Sequence, residues 1–183
     1  MPSLREVSAA DVDSVLPGGV VHQGVALKTS RLGQALIDKA CAIREGEKNV
    51  VVALDHVTDP QNVGAIMRSA VAFGARALVV TQSHAPSESG SLAKAASGAF
   101  DTIPYVQVSN LARALDQLAA LGYWRVGMAS QAEATLPDSD LSGNVALVLG
   151  AEGSGLRRLT AKKCDQLAHL PTNSNFRDLN VSN

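Results

Sequence analysis

Apolar positions along the chain cluster in two rhythms. From Ser30, Leu32, Leu36, Ile37, Ala40 and Ile43 recur at helical spacing and predict a helix. Val50 to Leu54 is a continuous β-branched run after Gly46 and Asn49, the pattern of a strand buried on both faces. A turn-rich stretch, Asp55-His-Val-Thr-Asp-Pro-Gln-Asn, follows. A helix is predicted from about Asn62, with Val63, Ile66, Met67, Ala70 and Phe73 on its apolar face and Gly74 closing it. Ala77 to Thr81 reads as the next strand, Gln82 to Gly90 as a polar loop, and Ser91 to Ala96 as a short helix. Ile103 to Val108 is a strand whose Pro104 assigns it to an edge or a strand end. Ser109 is the candidate cap of a helix from Leu111 to Leu121, closed by Gly122. Tyr123 to Ala129 and Val145 to Leu149 are further strands, Leu156 to Cys164 a basic helix, and Leu167 to Leu170 a last short strand. Residues 1–30, broken by Pro17, Gly18 and Gly19, carry weak periodicity and read as a lead-in.

Strands thus alternate with helices from residue 30 onward, which predicts an α/β fold with a Rossmann-like, mainly parallel sheet. Ligands in such sheets bind beyond the carboxyl ends of the strands. The loops at 55–62, 82–90, 130–137, 150–155 and 171–180 are therefore the places to seek chemistry.

Composition narrows the classes. The 183 residues are 46% hydrophobic, enough for one folded domain. Sixteen basic against 17 acidic residues exclude a wholly electrostatic nucleic-acid binder. Aromatic residues make up only 3%, which argues against a stacking platform for single-stranded RNA. Neither fact excludes an enzyme with a local nucleic-acid site. Cys41 and Cys164 are too few for a disulfide framework or a structural zinc site, and no metal is expected. With no apolar leader and no run of membrane-spanning length, the expectation is a cytoplasmic protein that does not associate with membranes.

Three segments could carry chemistry. In Asn62-Val-Gly64-Ala-Ile-Met-Arg68, taken alone, Asn62 could simply cap the helix and Arg68 be a solvated charge; Gly64 would admit a backbone or ligand at close range. Gly150-Ala-Glu152-Gly153-Ser-Gly155 follows a strand directly. It lacks the Gly-Lys-Ser/Thr of a phosphate loop and the spacing of the dinucleotide fingerprint, which disfavours a dehydrogenase. A tight turn with an exposed Glu152 and a ligand-facing loop remain equal readings. Leu170-Pro through Asp178-Leu179-Asn180-Val-Ser is polar and, by itself, an ordinary loop. The stretch from Ala151 to Asn183 holds five basic residues, Arg157, Arg158, Lys162, Lys163 and Arg177, against three acidic ones. That is a candidate RNA strip or merely a solvated helix face.

Taken in order, with their spacing and strand context, the three segments resemble the three motifs of the SpoU-type RNA ribose methyltransferases of the SPOUT superfamily. The resemblance runs from about residue 22 to the end. His22-Gln-Gly-Val-Ala is similar to the segment that precedes the catalytic domain in the branch modifying a guanosine of large-subunit ribosomal RNA. The resemblance implies a C-terminal deep trefoil knot, a homodimer with its active site near the interface, and S-adenosylmethionine as cofactor. It implies methyl transfer to a ribose 2′-hydroxyl, with ribosomal RNA favoured over transfer RNA. Gly150, Leu170 and Leu179, with the strand end near Ala129, would hold the cofactor. Asn62 and Arg68 would act on the ribose, Glu152 and Asn180 would order the site, and Arg157, Arg158 and Arg177 would contact RNA. Residues 1–28 would be a linker or the tail of an N-terminal RNA-binding domain, and 29–183 the catalytic domain. Asp178 stands where the family often has Ser, and the chain stops where family members continue into a C-terminal helix. A non-catalytic RNA-binding or dimerisation module of the same fold is the competing reading.

Overall fold

The computed structural model describes residues 3–28, 33, 35–172 and 180–182. The chain divides into two compact units, 1–33 and 34–183. The first contains one helix, α1 (Ala9–Val15). Weak apolar periodicity gives no hint of it, but its capping box does. Ser8 accepts from the Asp11 N–H, and the Asp11 carboxylate accepts from the Ser8 N–H, so two end donors are satisfied reciprocally.

The second unit is a seven-stranded sheet in which every pairing is parallel. The strands are β1 (Val50–Asp55), β2 (Ala77–Thr81), β3 (Tyr105–Val108), β4 (Trp124–Met128), β5 (Ala134–Thr135), β6 (Val145–Gly150) and β7 (Gln166–His169). Their order across the sheet is β3-β2-β1-β6-β4-β7-β5. β1 and β2 are almost wholly buried because helices cover both faces, which is why they read as unbroken apolar runs. β3 lies at the edge, as Pro104 requires.

On one face, Val52 and Leu54 of β1 pack with Leu78 and Val80 of β2 beneath α3 (Pro60–Ala72) and α4 (Gly90–Ala96). On the other, Val51, Ala53, Val79, Ala146 and Val148 pack beneath α2 (Ile37–Ala40) and α5 (Leu111–Ala120), with Leu156 and Cys164 flanking α6 (Arg158–Lys163). The helix expected from Ser30 is confined, within the described residues, to the four of α2.

Two predicted caps move by a residue or more. Asp59, not Asn62, caps α3 by accepting from Gln61 N–H, and Pro60 occupies the first helical position, where its missing N–H costs nothing. Asn110, not Ser109, caps α5 by accepting from Arg113 N–H. In both places the capping residue is the one immediately before the first helical residue, where its side-chain oxygen reaches an end N–H. The two-residue β5 falls in a segment read as a loop, and its pairing with β7 rests on only two residue pairs.

Gly64 is where α3 and α4 touch. A Cβ there would lie 2.5 Å from Ala95 Cβ and 2.8 Å from Ala96 N, so the close approach its sequence position suggested is to a helix backbone. In an open helix Gly→Ala stabilises; here the overlap reverses the sign. Gly64→Ala is expected to cost about 2–3 kcal/mol and lower Tm by about 5–10 °C, measured by calorimetry; an unchanged or raised Tm would disprove the tight crossing. Both cysteines are free, and burial pushes the Cys41 thiol up to about 12 and the Cys164 thiol up to about 11. Both should resist a disulfide exchange reagent at pH 8 in the native state and react at once in denaturant.

Candidate active site

Loops after β4, β6 and β7 converge at the carboxyl end of the sheet, where the topology places a ligand. They enclose a cavity of about 1110 Å³ between α3 and the face of β6 and β4 carrying Leu147 and Leu149. That face continues the plane of Val52 and Leu54, which pair in register with these two leucines. Ala129, Gly150, Glu152, Leu170 and Asn180 all line the cavity. Five residues from three separate sequence segments are thus brought to one place.

The β6 loop is shaped by its own glycines. Gly155 N–H donates to Ala151 O at 2.8 Å, closing an antiparallel bridge, with Gly153 and Gly155 at φ +75° and +63°. A Cβ on Gly150 would lie 2.5 Å from the Gly155 carbonyl oxygen and 2.5 Å from Leu156 N. The absent side chain therefore makes room for the returning loop. Glu152 stands at its exposed tip and accepts from Asn62 Nδ2 at 3.2 Å, joining the first and second motif segments across 90 residues of sequence. Asn62 is inside α3, and its side chain faces Glu152, so it is not a cap. In the third segment, Ser182 donates from its N–H and its hydroxyl to Asn180 Oδ1, a local turn that fixes the Asn180 side chain at the cavity.

Arg68 does not join this group. Its guanidinium donates to Ala95 O at 2.9 Å, holding it toward α4, and it does not line the cavity. Arg157 and Arg158 lie away from the cavity, on a second one described below. Leu179, Arg177 and Asp178 lie outside the described residues.

The structure adds groups that the motif reading missed. Asp55, at the end of β1, is wholly buried and accepts from Arg157 N at 2.9 Å and Arg157 Nε at 2.7 Å. His169 lines the large cavity with a buried Nδ1 that has no hydrogen-bond partner among the described residues. His56 adopts φ +60°, and its ring lies 3.7 Å from that of His84. Burial holds the His56 imidazole below its ordinary pKa, with Arg157 and His84 adding to the effect and Asp55 opposing it. A carboxylate closing β1 just before the turn was the one available signal for Asp55. None marked the histidines.

The family model described as the SpoU rRNA Methylase family matches residues 49–183, and the chain belongs to that family. It is 44% identical over 162 residues to the 23S rRNA (guanosine-2′-O-)-methyltransferase RlmB of Ralstonia nicotianae, covering 88% of this chain and 65% of that protein. It is 42% identical over 182 residues to the protein of the same name from Xanthomonas campestris pv. campestris, covering 98% of this chain and 72% of that one. The SpoU methyltransferase AviRb from Streptomyces viridochromogenes superposes with TM-score 0.74 at 25% identity, over 82% of this chain and 60% of that one. An AdoMet-bound rRNA methyltransferase from Sinorhizobium meliloti superposes with TM-score 0.72 at 26% identity, over 82% and 56%.

The Asp55–Arg157 pair closes the β6 loop against β1. Arg157 is 48% exposed and Asp55 is not exposed at all, so truncating the arginine removes the charged donor of a buried carboxylate and leaves it the residue-157 N–H. Arg157→Ala is expected to cost about 2 kcal/mol, below the range for a wholly buried pair because water reaches the vacated side. In a double-mutant cycle, Asp55→Ala with Arg157→Ala should cost clearly less than the two single changes summed; simple additivity in denaturant melts would dismiss the coupling.

Proposed function

We propose that this chain transfers a methyl group from S-adenosylmethionine to a ribose 2′-hydroxyl of RNA, with a guanosine of large-subunit ribosomal RNA as the target. The observation that carries the reading is the Asn62–Glu152 contact at a cavity also lined by Gly150, Leu170 and Asn180, which gathers the three motif segments. The names of its relatives supply the substrate.

The residues present fit the cofactor. The cavity wall is apolar along Met128, Leu147, Leu149 and Leu170, as an adenine and a methionine chain require. The unpartnered His169 Nδ1 offers a polar contact inside it. Glu152 places a carboxylate at the same cavity, favourable for a sulfonium. Ala129, Gly150, Leu170 and, outside the described residues, Leu179 would hold the cofactor, which when bound supplies an already activated methyl group.

With the methyl group activated, the protein's part is orientation and charge management. Asn62 holds one Glu152 oxygen, fixing the carboxylate's direction, and Asn180 is fixed by its turn with Ser182. A guanidinium is not a general base, so Arg68 is not assigned that role. Its role is to stabilise developing charge on the 2′-oxygen or to hold the adjacent phosphate. Within one chain it lies off the cavity, which supports a homodimer in which Arg68 of one copy serves the cavity of the other. The exposed Phe73 at the C-cap of the same helix and the half-exposed Leu170 give such a pairing an apolar surface. The trefoil knot of the family is part of this reading, supported by the convergence of the last loops on one cavity. So are a cytoplasmic location and residues 1–28 as a linker from an RNA-binding domain. Among the described residues no helix is long and apolar enough to cross a membrane.

Calorimetry with S-adenosylmethionine, followed by tritiated-methyl transfer to ribosomal and transfer RNA, tests the proposal. Ribosomal RNA should be labelled at ribose. Arg68→Ala should lower transfer by about 10²-fold or more while leaving cofactor affinity nearly unchanged. Failure to bind the cofactor would overturn the reading. Binding without transfer would favour the non-catalytic module, and labelling of transfer RNA alone would move the substrate.

A further inference from the structure

A second cavity of about 400 Å³ opens at the carboxyl ends of β1, β2 and β3, on the α5 side of the sheet. Its walls are unusually rich in donors. The first turn of the ten-residue α5 faces it through Leu111 and Ala112. Asn110 caps the Arg113 N–H, so the N–H groups of Leu111 and Ala112 lie outside the helix ladder and carry the positive end of the helix dipole. Arg157 and Arg158 stand on the opposite wall, and Arg158 has no ion-pair partner among the described residues. Three buried polar atoms at this cavity have no hydrogen-bond partner among the described residues: Thr81 Oγ1, Thr160 Oγ1 and His56 Nε2. Thr81 and Thr160 are only 4% and 1% exposed. Unpaired buried hydroxyls are costly, and two at one concave site with a cationic rim point to a ligand that accepts hydrogen bonds.

The chemistry selects an anion. The guanidinium groups and the helix N-terminus repel a cation, and no set of three metal-ligating side chains occurs among the described residues, so the His56–His84 pair is not a metal centre. The Asp55 carboxylate is turned onto Arg157 and wholly buried. We propose that this cavity is a phosphate-binding site, distinct from the methyl-transfer cavity, that takes a phosphodiester of an RNA strand or free phosphate through Arg158, His84, the first turn of α5 and the two threonine hydroxyls. The RNA form of this inference rests on the function proposed above; the phosphate chemistry does not.

Inorganic phosphate is titrated into the chain at fixed pH while the histidine side-chain resonances are followed by nitrogen-resolved NMR. His56 and His84 should shift saturably. Arg158→Ala and His84→Ala, both at exposed positions, should each weaken binding by about fivefold or more without loss of Tm. A short single-stranded RNA should compete with phosphate in the wild-type chain. Competition assigns the site to the RNA backbone, and saturable phosphate binding without competition assigns it to the free anion. No shift, a shift that does not saturate, or one unchanged in both variants would overturn the site. S-adenosylmethionine affinity measured on the same samples separates this result from failure of the methyl-transfer reading, because the two cavities share no lining residue.

Discussion

A single buried carboxylate organises this molecule. Asp55 ends β1, an interior strand of the sheet beside the central β6, with no exposure to water, and its register partner is Gly150, the last residue of β6. A carboxylate in that position is tolerable only if donors are brought to it. The chain supplies them by turning back after β6, so that Arg157 delivers both its backbone N–H and its Nε. That return demands the tight course of the 151–155 loop, and the tight course demands that position 150 have no side chain. Glu152 then projects at the loop tip to within reach of Asn62. The loop's far end presents Arg158 and Thr160 to the other cavity. One ion pair therefore fixes the geometry of two sites on opposite faces of the sheet.

The sequence reveals the strands more clearly than the helix ends. β1 and β2 are covered on both faces, so every position before their last residues, Asp55 and Thr81, is apolar and neither strand reads as an amphipathic element. Caps are decided by a side chain reaching an N–H a few residues on, and several Asx and Ser candidates crowd each turn. Asp59 and Asn110 win over Asn62 and Ser109 through geometry that only the folded turn defines. α1 lacks an apolar stripe because its stabilisation is local, from Ser8 and Asp11.

The candidate site was legible where resemblance named its residues, and the structure gives some of them different physical reasons. Gly64 reads in sequence as admitting a backbone or a ligand, and it is the backbone of α4 that comes close; Gly150 reads as facing a ligand, and the space its missing side chain leaves is taken by the returning loop. Asn62 could have been a cap and proves to be a partner of Glu152, 90 residues away in the same chain. Arg68 is the instructive exception: six residues after Asn62 it is turned by about 120° around the helix axis, so α3 carries it to the α4 side while Asn62 faces Glu152. Asp55 and His56 open the first motif segment without being singled out as site residues, and His84 and His169 lie in no motif. Their roles emerge only from strands that become neighbours on folding.

The near-neutral charge of the chain also takes on a different sense. Sixteen basic and 17 acidic residues cancel in sum, but the cancellation is not local. At the large cavity the ionised group is the carboxylate of Glu152, beside apolar walls that strengthen its field. At the small cavity the charge comes from Arg157 and Arg158 and the first turn of α5, with Asp55 neutralising one guanidinium from beneath. A cavity with a negative rim suits a sulfonium, and a cavity with a positive rim suits a phosphate. Under the function proposed above, the chain would accept a cationic methyl donor and a polyanionic substrate, which one uniform potential does not favour together. Separating the two signs on either side of the Asp55–Arg157 pair lets each partner meet a complementary field while the net charge stays close to zero.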